Sequence, residues 1–180
     1  MDEPFKKLNS EQAYQGKVIN VRVDTVRYQE RNFKWEIVEM GNAVVIMPFC
    51  SENKLLMISQ YRYPVGTFLW EFPAGRAHES ESLELCAQRE LEEECGYRAR
   101  HLQKLLTYYP SPGVITEVMH LYFARDLYEA REALPDEDEI INVAPLPIDS
   151  IEDMIKRGEI VDAKTILAFY HFKLYSKELL

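Results

Sequence analysis

Cysteine is scarce in this chain. Its 180 residues include three, Cys50, Cys86 and Cys95, and none forms a C-x-x-C pair. Cys86 and Cys95 stand nine residues apart on one expected helix, about 180° around it, so they cannot bond to each other. Free thiols of this kind point to a reducing, cytoplasmic setting. Basic charge is also short: the net charge is −9, and the clustered Lys and Arg of a nucleic-acid-binding surface are missing. No apolar run approaches the roughly 18 residues needed to span a bilayer. The opening MDEPFKKLNS has no apolar core of a leader peptide, so no membrane association is expected. The four histidines, His78, His101, His120 and His171, show no metal-ligand spacing and read as structural or exposed. There are no repeats and no low-complexity segment.

What is present suits one globular domain with a small extension, since 47% of the residues are hydrophobic. Residues 1–15 read as a polar lead-in. Ile19, Val21 and Val23 alternate with polar residues, and so do Phe33, Trp35 and Ile37 after a polar turn at Gln29–Asn32. Together they predict an antiparallel hairpin. Buried strands are expected at Ala43–Phe49 and Leu55–Tyr63, with further strands at Val118–Ala124 and Ile140–Leu146. Ser150 is the expected cap of a helix to about Arg157, and Asp162 of a last helix to about Leu179. Glu129–Asp138 is the most polar stretch and reads as a loop. Strands, a helix, more strands and terminal helices predict an α+β or mixed α/β fold. The first 40 residues are expected to form a β extension, with residues 41–180 as the main domain.

The most informative segment is Gly75–Tyr97, GRAHESESLELCAQRELEEECGY. With Leu83 as zero and about 100° per residue, Ala87 lies near 40°, Leu91 near 80° and Cys86 near 300°. Those four make an apolar stripe. Glu90 (about 340°) and Glu94 (about 20°) fall inside it, and Glu93 (about 280°) lies at its edge. Glu84, Gln88 and Glu92 face away, as does Leu85. Charges placed inside the apolar stripe are not a solvated helical face. Glu92, Glu93 and Glu94 also crowd the C-terminal end before Gly96, the expected C′ residue. Negative charge there opposes the helix dipole by roughly 0.3–1 kcal/mol each, so something positive must offset it. Arg89 and Lys104 are candidates. A divalent cation is a better one, because hard cations take carboxylate oxygens and Mg²⁺ also binds substrate phosphates.

The constrained positions Gly75, Glu81, Arg89, Glu90, Leu91, Glu93, Glu94, Gly96 and Tyr97 resemble a complete Nudix box over 23 residues. The resemblance implies a hydrolase of nucleoside diphosphates linked to another moiety. It also implies an α/β/α sandwich around a mixed sheet, with the box as a loop–helix–loop that holds Mg²⁺ or Mn²⁺. Carried over residue by residue, Glu90 and Glu94 are the principal metal ligands. Glu93 assists, and the Ala74 carbonyl is a further ligand. Glu81 and Arg89 pair to hold the box loop, and Gly75 and Gly96 permit its turns.

Three further features resemble the ADP-ribose and nucleotide-sugar pyrophosphatase subgroup. Gln60-Tyr61-Arg62 precedes Glu71-Phe72-Pro73-Ala74-Gly75. Pro112, in Ser111-Pro112-Gly113, lies fifteen residues beyond Tyr97. Asp136-Glu137-Asp138-Glu139 resembles the acidic loop that supplies that subgroup's catalytic base. Val114 departs from the pattern, because relatives often carry a second glycine there. The resemblance implies cleavage of ADP-ribose or a related nucleoside diphosphate sugar to a nucleoside monophosphate and a sugar phosphate. It also implies a homodimer built in part by the N-terminal hairpin, which reaches toward the partner's site.

The general base is Glu137 or Glu139, with Glu137 favoured by alignment, unless both only solvate a loop. Trp35 is a candidate for stacking on the nucleobase, or else a core or dimer-interface aromatic. Arg62 offers bidentate donors to phosphate, or else a surface ion pair. Ser111 is a further substrate-contact candidate, and Glu117 could accept from ribose hydroxyls. A non-catalytic nucleotide sensor is the competing class, although such modules usually lose box carboxylates. Dinucleoside polyphosphates, nucleoside triphosphates or capped RNA are alternative substrates within the enzyme class.

Overall fold

Residues 43–48 and 55–58 are continuously buried, which a strand requires only when both faces of its sheet are covered. In the computed structural model, which describes residues 4–51, 53–130 and 140–179, these runs become the two central strands. The chain divides into two compact units, residues 1–42 with 108–118, and residues 43–107 with 119–180.

The first unit holds a three-stranded antiparallel sheet, β1 (Lys6–Gln15), β2 (Asn20–Tyr28) and β3 (Arg31–Glu39), in that order. The β2–β3 hairpin is the expected one. Tyr28 pairs with Arg31, so its turn is only Gln29–Glu30, with Gln29 at φ 52°. Residues 6–15 are a strand and not the expected lead-in. Every residue of β1 is exposed, so no face of it is marked by apolar alternation, and it is defined by its ladder to β2 with side-chain bonds such as Ser10 to Asp24. The segment 108–118 is stitched to β3. Val38 donates to the Val114 carbonyl at 2.9 Å, and Thr116 donates to the Val38 carbonyl at 3.1 Å.

The second unit carries β4 (Asn42–Ser51, its first residue lying in the other unit), β5 (Lys54–Arg62), β6 (Thr67–Glu71), β7 (Ala74–Arg76), β8 (Tyr97–Tyr108, its last residue in the other unit), β9 (Val118–Glu129, beginning one residue earlier than the unit) and β10 (Ile141–Pro147). The strand order is β10-β5-β4-β9-β8, with β6 added beside β5 and β7 beside β4. Helix α1 (Leu83–Cys95) covers one face, and its Cys86, Ala87, Leu91 and Cys95 pack on Val44, Ile46, Leu56, Ile58, Tyr122 and Ala124. Residues of the opposite parity face α3 (Ala163–Leu179): the Phe123 ring stacks on Phe172 at 5.5 Å and meets Phe49 at 6.1 Å. Alternation along each strand therefore builds an α/β/α sandwich.

Three features differ from expectation. Helix α2 (Ile148–Lys156) starts after Pro147 and not at Ser150. Its first amide donates to the Asn53 carbonyl at 3.0 Å, so a neighbouring loop caps it in place of a side chain. Strand β8 went unread because it ends the sheet order and most of its side chains are not buried. Gln88 does not face solvent. Its carboxamide donates to the Ala99 carbonyl at 2.6 Å and accepts from the Ala99 amide at 3.0 Å, binding α1 to β8 as a neighbouring strand would. Asp162 does cap α3, accepting from the Thr165 amide at 2.9 Å.

Losing both Gln88 bonds while leaving a buried Ala99 amide and carbonyl unmet costs about 1–3 kcal/mol. Gln88→Ala is therefore expected to lower Tm by about 2–12 °C in a calorimetric melt. An unchanged Tm would show that this tie contributes nothing.

Candidate active site

Helix α1 is delimited by local chemistry. The Ser82 hydroxyl accepts from the Leu85 amide at 3.2 Å at its start, and Gly96 at φ 77° ends it, donating to the Glu92 carbonyl at 2.9 Å. Between these caps the helix buries two carboxylates, Glu90 at 8% and Glu94 at 5% exposure. Both lie against the backbone of β7. Glu94 accepts from the Ala74 amide at 2.8 Å. The Glu90 carboxylate lies so close to Gly75 that a β-carbon there would stand 2.0 Å from its Cδ. Any side chain at position 75 would have to displace that carboxylate.

Arg89 organises the rest. Its Nε and Nη2 grip both oxygens of Glu81 at 2.9 and 3.0 Å, and its Nη1 reaches Glu90 at 2.7 Å and Glu93 at 2.8 Å. Nη2 also donates to the Arg76 carbonyl at 2.9 Å, which fixes the loop before the helix. The Arg89 fork, against the smaller cost of burial, holds the Glu81 carboxyl down at about 2. The Glu81 hydrogen bonds in turn raise the Arg89 guanidinium above its ordinary range. Lys104 takes no part and instead lines a cleft with His171 and Tyr175. Glu92 pairs with Arg98 at 3.2 Å. Burial pushes the nearby Cys86 thiol up to about 12, which makes it unreactive.

Glu81, Glu90 and Glu93 thus converge on Arg89, while Glu94 accepts from the Ala74 amide. Among the described residues no group of three or more His, Cys, Asp or Glu forms a ready-made metal cluster: Arg89 stands between Glu90 and Glu93, and Glu94 is turned to the Ala74 amide. The donor set is nevertheless all hard oxygen, and two of its carboxylates are buried. These residues fit a hard divalent cation.

A second charged group adjoins the β6 end. Arg62 forks onto Glu71 through Nε at 2.8 Å and Nη2 at 2.6 Å, and Lys164 also contacts Glu71. The remaining candidates lie in the other unit. Trp35 is 47% exposed, rests against Phe5 at 5.0 Å, and lines a cleft of about 610 Å³ with Lys34, Glu36, Pro112, Gly113 and Val114. The Ser111 carbonyl accepts from the amides of Val114 and Ile115 at 3.2 and 3.1 Å, and Glu117 is half-buried. Glu137 and Glu139 lie outside the described residues. The sequence marks Glu71 within its motif but not as the partner of Arg62 and Lys164, and it does not mark Lys164 or its pairing with Asp162. The only signal was a Glu just before the box with no apolar role.

The sandwich and its acidic helix define a known class of fold. A crystal structure of an ADP compounds hydrolase superposes with a TM-score of 0.88 at 23% identity, covering 98% of this chain and 96% of that one. A family model described as NUDIX domain matches residues 40–169, and the chain belongs to the Nudix family. Similar proteins include a methanol dehydrogenase activator from Bacillus methanolicus (36% identical, covering 94% of this chain and 92% of the relative). An ADP-ribose pyrophosphatase from Bacillus subtilis is also 36% identical, with the same coverage. A GDP-mannose pyrophosphatase from Cronobacter sakazakii is 33% identical over 78% of each chain.

Two predictions follow from these contacts. Gly75→Ala is expected to destabilise by about 1–3 kcal/mol through overpacking, and most of that cost should vanish in a Glu90→Ala background. An equal cost in both backgrounds would place the clash elsewhere. Glu81 has a folded pKa of about 2 against an ordinary 4.5. Its stabilising contribution is therefore complete above about pH 4.5 and lost as pH falls toward 2. Acid unfolding followed by circular dichroism should show a shallower loss over that window in Glu81→Gln than in wild type. Superimposable acid limbs would contradict the Arg89 fork.

Proposed function

We propose that the chain hydrolyses the diphosphate bridge of nucleoside diphosphate sugars, ADP-ribose among them, to a nucleoside monophosphate and a sugar phosphate, using Mg²⁺ with Mn²⁺ as the alternative. The observation that carries this reading is the pair of buried carboxylates, Glu90 and Glu94, set against the Ala74–Gly75 backbone. The ADP-ribose and GDP-mannose pyrophosphatases among the similar proteins support the substrate class.

Glu90 and Glu94 would hold the cation, with Glu93 and the Ala74 carbonyl assisting. A bound divalent cation supplies charge neutralisation and Lewis acidity at the diphosphate. The protein's own share is positioning and electrostatics. Arg62 binds a phosphate oxygen through its exposed edge. Trp35 stacks on the base within a cleft of ligand size. Ser111 and Glu117 contact the ribose. Glu137 or Glu139 takes a proton from the attacking water onto a carboxylate oxygen. Glu81, Arg89, Gly75 and Gly96 keep the loop and helix in place. We assign the N-terminal residues 1–40 to a homodimer-forming extension, and the protein to the cytoplasm. Among the described residues no helix is long and apolar enough to cross a membrane. Retention of Glu90, Glu93 and Glu94 weighs against a binding-only sensor.

Product analysis with ADP-ribose, ADP-glucose and GDP-mannose tests the reading. AMP or GMP should appear with the sugar phosphate, and both a chelator and Glu94→Gln should reduce the rate at least about 100-fold. Metal-dependent binding of these compounds without turnover would make the protein a sensor.

A further inference from the structure

The first turn of α3 is bonded to the strand end that opens the site, and the mechanism above leaves that connection unused. Glu71 ends β6 and is 1% exposed. A carboxylate so deeply buried persists ionised only where its charge is met. Two cations meet it. Arg62 approaches side-on, placing Nε on one oxygen at 2.8 Å and Nη2 on the other at 2.6 Å. Lys164 donates to the second oxygen and is held in turn by Asp162 at 3.0 Å. Asp162 is also the cap of α3, and the neighbouring Thr165, fully buried, accepts from the Phe72 amide at 3.0 Å. Arg62 at the end of β5, Glu71 at the end of β6, and Asp162, Lys164 and Thr165 at the start of α3 thus brace the corner that leads into Ala74 and Gly75.

The geometry leaves Arg62 with one edge fixed and one edge open. Nη1 has no partner among the described residues, and the side chain is 35% exposed. Hydrogen bonds to Glu71 come first in raising its pKa, and the charge of Glu94 adds to them, so the guanidinium lies within electrostatic reach of the box. The fork alone would let Glu71 and Arg62 rotate together. Lys164 removes that freedom by anchoring one Glu71 oxygen to α3. It also brings the group to two cations and two carboxylates, where its loss would leave net negative charge beside an anionic substrate.

We propose that Lys164 and Glu71 are positioning residues that fix Arg62 so that its open edge meets an oxygen of the substrate diphosphate. The proposal rests on the diphosphatase reading above. Steady-state kinetics with ADP-ribose at saturating Mg²⁺ test it. Lys164→Met is expected to raise KM on the order of tenfold, the size of a lost charge-assisted contact, with kcat changed less than about threefold. Lys164→Arg should restore most of the KM. Asp162→Asn keeps the helix cap, because Asn caps as well as Asp, and should raise KM about threefold with little change in Tm. A lowered Tm and kcat with unchanged KM in Lys164→Met would overturn the proposal, as would a KM in Lys164→Arg no better than in Lys164→Met. If Lys164→Met does not fold, an unchanged KM in Asp162→Asn overturns it. A wild type that binds ADP-ribose without cleaving it would sink the diphosphatase reading alone. The clamp would then be judged by the calorimetric Kd, about tenfold weaker in Lys164→Met if it holds and equal if it does not. A wild type that neither binds nor cleaves overturns both.

Discussion

The Arg89 guanidinium is the interaction on which the site depends. Three acidic side chains converge on it: Glu81 from the loop before α1, and Glu90 and Glu93 from the C-terminal half of a helix with no basic residue in its last turn. Like charges this close, two of them toward the helix end that disfavours them, would spread apart if left to themselves. A planar donor with a fixed fork holds them where a flexible ammonium would not. The same side chain reaches the Arg76 carbonyl, so the loop before the helix and the carboxylates on it are set by one group. Lowering the Glu81 pKa and raising that of Arg89 are two views of this single arrangement.

Backbone proximity is the second constraint. β7 is only three residues long, yet it pairs with β4 on one side and meets α1 on the other. That closeness places Glu94 on the Ala74 amide and Glu90 over Gly75. The apolar part of α1 pays for it, through Cys86, Ala87 and Leu91 packed at 0% exposure on the central strands. The core thus presses two carboxylates into a place they would not occupy alone. This is a common signature of a functional site, where a local rule is broken against a consistent background.

That conflict is also why this part of the site was legible in the sequence. A helical wheel placed Glu90 and Glu94 inside an apolar stripe, and both are buried; the offsets of the box paired Glu81 with Arg89, and they are in contact. The two-sided burial of β4 and β5 was equally visible as unbroken apolar runs. Features without such a signal were lost. β1 and β8 lie at the ends of their sheet orders and bury few side chains, so no period marks them. Gln88 looked solvated because a carboxamide bonded to backbone has the same composition as one bonded to water. Lys164, held by Asp162, meets Glu71 from 93 residues away in the chain, and no local pattern announces such a pair. Leu85 is 60% exposed, and nothing in the structure explains it.

The central claim is that Glu90 and Glu94 hold a divalent cation in the resting protein. Titration with Mn²⁺ followed by electron paramagnetic resonance measures it directly, on wild type and on Glu94→Gln. Saturable binding in the wild type, competed by Mg²⁺ and weakened at least about tenfold in Glu94→Gln, is the predicted result. Equal binding by the two proteins would contradict it.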